Sequence, residues 1–534
     1  MNHPYGPDQA NQITGVDCLD DEQLRAIDST ASVQLVTAGP GSGKTRLLTN
    51  KLAKRIRSNQ VSANHCLAIT FTRAASSELR TRLERMGLAE LPHSGTIHSI
   101  SLKLLKTYWK DSSSLELRLI DRTSALKRYL SSPSSPSLTE PLSIDDISLE
   151  IGWKNANQLT IDQYITKAEK SGRLEPSLVN QVAELINHYE TQKKYRKVID
   201  FDDLLIHCIA AFENDTKFAK RQQWIYRHVF LDEMQDLTPL QFRLIKNWAG
   251  EDIDLFCVGD PRQSIYSWSG ADPLLFREFY KLSSNSQELF LSTNYRSSSR
   301  IVELSNHHQT SWLDGNHPQM KSASVDLGTH PQIAIAKDES QEIELLASII
   351  TREIYAGTPL GQIAVLTRTN KHLAKLKERL GALEKNLAQG TSILDAIELT
   401  SLHRSKGREW RCVILAGCEE GNIPFLGRAD PDEEARLFYV GITRATKNLY
   451  MIATVERAAK TMEVSRYLYG ITESHEMSIQ IDTDDISQQA SIESAEPPSS
   501  ATTFTMEETE DLLREERLKK IRAMKASLRN PGQS

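Results

Sequence analysis

The chain has 534 residues, with 64 Lys and Arg against 70 Asp and Glu, a formal net charge of -6. Apolar residues make up 39 % and charged residues 25 %, an ordinary composition for a soluble chain of several domains that excludes collagen-like structure, a disulfide scaffold and wholesale disorder. Nothing in it is long and apolar enough for a membrane span, and the N-terminus lacks the basic start and apolar run of a secretory leader. The six cysteines include no Cys-x-x-Cys pair, so reduced thiols in a cytoplasm are expected, with no zinc or iron–sulfur ligation. Residues 473–504 hold seven acids and no Lys or Arg, and 505–534 hold seven bases and six acids, which leaves residues 1–472 neutral. Any nucleic-acid contact then comes from a local groove and not from a global field.

From Ser32 short β-rich runs alternate with amphipathic helices: SVQLVTA before a helix from Leu47 to Ile56, HCLAIT before a helix from Ala74 to Met86. This is the signature of a parallel sheet wrapped by helices. Residues 107–195 break the rhythm; they read as an all-helical insertion with a serine-rich loop at 131–143. The alternation resumes with HVFLDE, DLFCVGD and ELFLSTNYR, and a second series follows: QIAIA, QIAVLTR, AIELTSL, RCVILAG and NLYMIATV. The expected fold is α/β, with two parallel-sheet domains. The first covers 1–106 and 196–285 around the insertion at 107–195, and the second covers 286–472. Residues 473–504 read as an acidic linker too poor in apolar groups to fold alone. Residues 505–529 read as a helix capped by Thr505, with acids first and bases last. Its narrow stripe through Leu513, Arg517, Ile521, Met524 and Leu528 suits either a solvated helix or a peptide that docks on a protein partner.

The strongest local signal is AGPGSGKT at 38–45. A strand ends at Thr37 and a helix starts at Gly43, so the backbone of Ala38, Gly39, Pro40, Gly41, Ser42 and Gly43 can turn its N–H groups around phosphates. Lys44 can reach the β and γ phosphates of a nucleotide, and the Thr45 hydroxyl can hold Mg²⁺. HVFLDEMQD at 228–236 supplies the second half: Asp232 at a strand end for Mg²⁺, and Glu233 beside it to activate water. That pair marks an ATPase, because a kinase needs no base for hydrolysis.

DEMQD followed by VGDPRQSIYSWSGA at 258–271 resembles motifs II and III of superfamily 1A DNA helicases of the UvrD/Rep/PcrA type. The remaining motifs stand in order: LDDEQLRAI at 19–27, AITFTRAASSELRTR at 68–82, GTIHSI at 95–100, VIDFDDLL at 198–205, LSTNYRS at 291–297, LTSLHRSKGREW at 399–410 and EEARLFYVGITRA at 433–445. The resemblance covers roughly residues 19–455. It implies two RecA-like motor domains, 1A and 2A, with a helical 1B insertion in the first. It implies that Gln23 reads adenine, that Tyr295 stacks on it with Arg46 on the same side, and that Glu409 meets the ribose. Arg296 and Arg444 would reach the γ-phosphate from the second domain as arginine fingers, and Gln263 would couple that phosphate to the DNA groove. Tyr266, Trp268 and Phe71 would stack on bases, while Arg73, Thr96, His98 and His403 would meet the sugar–phosphate chain. The implied activity is an ATP-dependent single-strand translocase and helicase moving 3′ to 5′ on single-stranded DNA and single/double-strand junctions.

The chain also departs from the family pattern. Motif Ia reads TFTRAASS, with Arg73 and Ala74 where Asn and Lys are usual; Pro261 and Arg262 stand where motif III often has acids; and Arg408 replaces a Leu in motif V. The family's 2B domain, inserted before motif V, is missing. About thirty residues, Asn370 to Leu399, stand there and suffice for one helix and a turn. Duplex unwinding is therefore less secure than translocation, and a remodeller that strips proteins from single strands is the alternative. A helicase–nuclease would need a C-terminal cluster of acids, Lys and Gln-x-x-x-Tyr that residues 456–534 lack.

Overall fold

The computed structural model describes residues 19–112, 117–130, 142–250, 253–313, 317–387, 393–427 and 430–469. The expectations for 473–504 and 505–529 lie outside the described residues.

Six parallel strands form the first sheet, in the order His93–Thr96, Cys66–Thr70, His228–Leu231, Asp254–Gly259, Val33–Ala38 and Ser286–Leu291. Successive side chains of a strand point to opposite faces. Val33 and Leu35 accordingly join one core with Leu67 and Ile69, while Val36 and Ala38 join the other with Ala68 and Leu47. Both faces are covered by helices, which is why the central strands are apolar without alternation.

The strand Ser286–Leu291 corrects the expected boundary at 286. It pairs with Val33–Ala38 and completes the first sheet, so the second domain begins after Leu291. Its apolar pattern marks a strand, but only pairing decides which sheet takes it. A second correction concerns residue 107, which falls inside the helix Ile97–Asp111; Leu104, Leu105 and Trp109 of that helix belong to the first domain's core. The insertion proper consists of the helices Arg122–Leu130, Ile144–Ala156, Ile161–Lys170 and Pro176–Arg196, packed around Ile147, Ile151, Tyr164, Val182 and Ile186. Capping boxes at Ser143 and Thr160 and Pro176 in the first turn set the starts of three of these helices.

The insertion is rooted by a short parallel pair, Arg118–Leu119 with Val198–Ile199, and by a buried ionic cluster. Arg122 lies 3.0 Å from Asp200, and Lys193 lies 2.8 Å from Asp203. Burial raises the Asp203 carboxyl to about 6, with Asp200 beside it adding to the rise.

The second sheet places Gln332–Asp338, Ala445–Arg457, Trp410–Ala416, Ile363–Thr367 and Glu398–Ser401 in parallel order, with Lys460–Thr461 antiparallel to Ala445–Arg457. Among the described residues between Thr367 and Glu398 stands one helix, Asn370–Leu387. Among the described residues no helix is long and apolar enough to cross a membrane, and Cys66, Cys208, Cys257, Cys412 and Cys418 are buried free thiols.

Candidate active site and strand groove

A cavity of about 340 Å³ lies where the two sheets meet, lined by Pro40 to Arg46, Arg82, Glu233, Gln263, Tyr295, Arg296, Gly407, Glu409 and Arg444. The phosphate loop forms from local causes. Gly41 and Gly43 take φ of 71° and 81°, a region costly for residues with a Cβ, and the helix Lys44–Arg57 starts immediately after them. A side chain at Gly41 would also meet Arg296 Cβ at 2.7 Å and Asn294 Oδ1 at 2.8 Å. Gln23, fully buried, donates to the Ser42 carbonyl at 3.1 Å, and Asn294 donates to that of Pro40 at 2.9 Å. The loop is thus clamped from both sides. Lys44 donates to the Ala38 carbonyl at 3.2 Å, spanning the loop. Burial lowers its ammonium pKa, against the pull of Glu233, Asp260 and Asp232.

The Thr45 hydroxyl stands 3.4 Å from Asp232 Oδ2. Burial, with Glu233 adjacent, raises the Asp232 carboxyl to about 7, against the pull of Lys44 and the hydrogen bonds from Glu233 N and Thr45. An oxygen-only pair with surplus negative charge suits Mg²⁺, which is held by one or two protein ligands plus substrate phosphates. Among the described residues no group of three or more His, Cys, Asp and Glu forms a protein-only metal cage. Glu233 sits in the left-handed region at φ 54°. Burial pushes its carboxyl up, but Lys44, Lys406 and the Gln235 amide outweigh that and hold it ionised below the usual range. An ionised carboxylate in this position can accept a proton from water.

The opposite wall is cationic. Arg444, fully buried at the end of the helix Pro431–Ile442, donates to the carbonyls of Val440 and Arg408 at 2.9 and 3.1 Å and to Gln263 Oε1 at 3.4 Å. Gln263 in turn donates to Asp260 at 2.8 Å. Arg296 lies in the crossover after Leu291 and is ion-paired with Glu409. The half-exposed Tyr295 donates from its hydroxyl to Asp20 and lines the cavity together with Arg46.

A second cavity, of about 960 Å³, runs between the helical insertion, the loop after Gly259 and the second sheet. Tyr266, Trp268 and His403 line it, joined by Trp153, Arg173, Arg368 and Phe425. Phe71 stacks on Tyr266 at 5.7 Å with planes 12° apart, and Tyr266 meets Trp268 edge-on at 6.2 Å. Phe71 and Trp268 are 45 % and 42 % exposed, unlike core rings. Burial, with Arg368 and Lys406 nearby, lowers His403 to about 4, so it is neutral near pH 7. Thr96, His98 and Arg73 do not line this cavity. The Thr96 hydroxyl caps the helix Ile97–Asp111 by accepting from Ser99 N at 3.3 Å, His98 packs on Phe201 at 5.5 Å, and Arg73 opens an exposed helix turn.

Sequence reasoning missed several residues in and around the two cavities. Lys406, three residues after His403, reaches Asp236 and the Gln263 carbonyl, and its position within HRSKG was a usable signal. Trp153 and Arg173, stacked at 4.3 Å, come from the insertion, and nothing in their local sequence announces them.

Residues 19–283 match the family model of the UvrD/REP helicase N-terminal domain, and 289–384 with 379–456 match that of the UvrD-like helicase C-terminal domain. The chain is 28 % identical to ATP-dependent DNA helicase UvrD2 of Mycobacterium tuberculosis, over 85 % of this chain and 81 % of the relative. It is 26 % identical to a probable DNA helicase of Mycoplasma pneumoniae, over 86 % of this chain and 87 % of the relative. Against ATP-dependent DNA helicase PcrA of Staphylococcus epidermidis the identity is 29 %, over 67 % of this chain and 49 % of the relative. With both family models matched in order and the phosphate loop, Glu233, Gln263, Arg296 and Arg444 lining one cavity, the chain belongs to the UvrD/Rep/PcrA family of superfamily 1A helicases.

Proposed function

We propose that this protein is an ATP-hydrolysing DNA helicase of the cytoplasm that translocates 3′ to 5′ along single-stranded DNA and acts at single/double-strand junctions. One observation carries the reading: Arg444, from the second domain, meets Gln263, from the first, at 3.4 Å, with Lys44 and Glu233 lining the same cavity. Lys44 and Thr45 would hold the phosphates and Mg²⁺ with Asp232, and the metal would neutralise charge on the phosphates. Glu233 takes the proton of the attacking water. Arg296 and Arg444 place positive charge opposite the γ-phosphate only when the two domains are closed, which makes hydrolysis depend on domain position. Gln263 and Tyr266 lie in one loop, so a change at the phosphate is felt at the ring that faces the strand.

A second reading, a remodeller that strips proteins from single strands with little unwinding, is supported by the short span from Asn370 to Leu399, which holds the helix Asn370–Leu387 where the family pattern has a further domain, 2B. The alignment to UvrD2 runs over 572 residues, more than the 534 of this chain, so that relative holds segments this one lacks. The helical insertion would be domain 1B. ATPase rates with and without single-stranded DNA test the motor. Unwinding of 3′- and 5′-tailed duplexes, set against displacement of streptavidin from a biotinylated strand, separates the two readings. A rate unaffected by DNA would sink both.

A further inference from the structure

Arg262 sits in the short turn Pro261–Gln263 that follows the strand Asp254–Gly259, at a position where the family pattern often has an acid. It is buried, and its guanidinium is engaged on several sides. Nε donates to Asp260 Oδ1 at 2.7 Å, and Nη1 donates to Gln309 Oε1 at 2.7 Å. Nη2 lies against the phosphate loop, where a Cβ added to Gly39 would meet it at 3.1 Å. The guanidinium also stands over the Tyr439 ring at 5.6 Å. Gln309 belongs to the helix Ser299–Trp312 and Tyr439 to the helix Pro431–Ile442, both in the second domain. One arginine of the first domain thus touches the phosphate loop, Asp260 and two helices of the second domain.

Asp260 is fully buried. Burial pushes its carboxyl up, but Arg262 and Lys44 outweigh that and hold it ionised, below the usual range. An ionised carboxylate only accepts, so the Gln263 amide must present Nε2 to it, at 2.8 Å. A guanidinium only donates, so the same amide must present Oε1 to Arg444, at 3.4 Å. The two ends fix the amide in one orientation. A flipped amide would set its N–H groups against Arg444 and its oxygen against Asp260. On its other side Asp260 N donates to Gln235 Oε1 at 2.9 Å, and the Gln235 amide donates to Glu233. Asp260 is therefore the point through which Arg262 reaches both the base and the coupling glutamine. Gln309 extends the chain to the second domain. Its own Nε2 donates to the His317 carbonyl at 3.0 Å, which turns Oε1 toward Arg262.

We infer that Arg262 is a positioning residue for hydrolysis: through Asp260 it sets the Gln263 amide toward Arg444, and through Gln309 it ties that setting to the seat of the second domain. The inference rests on the ATPase reading of this site. In the full chain, Arg262→Gln should lower kcat for single-strand-stimulated hydrolysis by about tenfold or more, since a misplacement of about 1 Å can cost about 10²-fold. KM for ATP should stay within about twofold, the pattern of a loss felt in the transition state. The deciding readout is a double-mutant cycle with Gln263→Ala, followed by single turnovers. A residue that acts through Gln263 should cost less than about twofold in that background. Arg262→Lys keeps a cation for Asp260 without the planar fork that also reaches Gln309, so it should restore the melting temperature and only part of kcat. Gln309→Met leaves the Arg262–Asp260 pair whole. It should show the same kcat loss at smaller size, again absent beside Gln263→Ala, and it decides the matter if Arg262→Gln fails to fold. Additive losses in the cycle, an unchanged kcat in Gln309→Met, or a loss confined to KM would each overturn the inference. A chain whose ATPase ignores single-stranded DNA would overturn the motor reading instead, and the cycle would then be read on basal turnover.

Discussion

Lys406 Nζ lies 2.6 and 2.8 Å from the two carboxylate oxygens of Asp236. The lysine comes from the second domain and the aspartate from the acidic strand end of the first, and both side chains are nearly inaccessible to water. The same ammonium donates to the Gln263 carbonyl and lies 5.0 Å from the Tyr266 ring. One buried cation therefore touches Asp236, the Gln263 backbone and the Tyr266 ring at once.

Removing that cation should uncouple the sites. Burial raises the Asp236 carboxyl to about 6 even with Lys406 present. Lys406→Met strands a buried carboxyl, a change that typically costs about 3–5 kcal/mol. We expect a lower melting temperature and loss of DNA stimulation, with ATP binding retained. Asp236→Leu added to Lys406→Met should restore melting without restoring stimulation, because the cross-domain link stays broken. Recovery of both would mean that the pair serves stability alone.

Glu233→Gln should bind ATP with Mg²⁺ and hydrolyse it at least about 10²-fold more slowly, the scale for losing a positioned base. Lys44→Ala should abolish turnover, since it removes the ammonium that spans the loop to the Ala38 carbonyl. Single-turnover hydrolysis, measured beside nucleotide binding, checks both. Near-full turnover in Glu233→Gln would move the base elsewhere.

Trp268→Ala removes a ring that is 42 % exposed, so folding should survive. Single-strand affinity should fall by about 1–3 kcal/mol, with DNA-stimulated ATPase reduced and basal turnover unchanged. Equal losses in basal and stimulated rates would identify a structural tryptophan.

Asp232 gives a pH signature. Burial and the adjacent Glu233 push its folded carboxyl up from the ordinary carboxylate range to about 7. The folded protein therefore holds a proton that the unfolded chain has released, and stability without metal should fall as pH rises through that window. Mg²⁺ competes with the proton. Metal should raise the melting temperature more at pH 8 than at pH 5, and higher Mg²⁺ should move the acid limb of the ATPase profile to lower pH. Melting curves across pH, with and without Mg²⁺, check the sign; equal metal stabilisation at both pH values would remove Asp232 from the metal site.

The phosphate loop and the Asp232–Glu233 pair were readable in the sequence because their causes are local. Glycines at 41 and 43 permit the turn, a strand precedes it and a helix follows, all within a dozen residues. The order of motifs likewise identified the family before any contact was known. Tertiary structure alone decided which sheet takes Ser286–Leu291, since strand pairing is a long-range choice that an apolar run does not encode. It assigned the Thr96 hydroxyl to a helix cap, and it brought Lys406 to Asp236 across 170 residues of chain. Local backbone preference reaches a few residues, whereas charges and rings acquire partners only when packing closes the long loops between them.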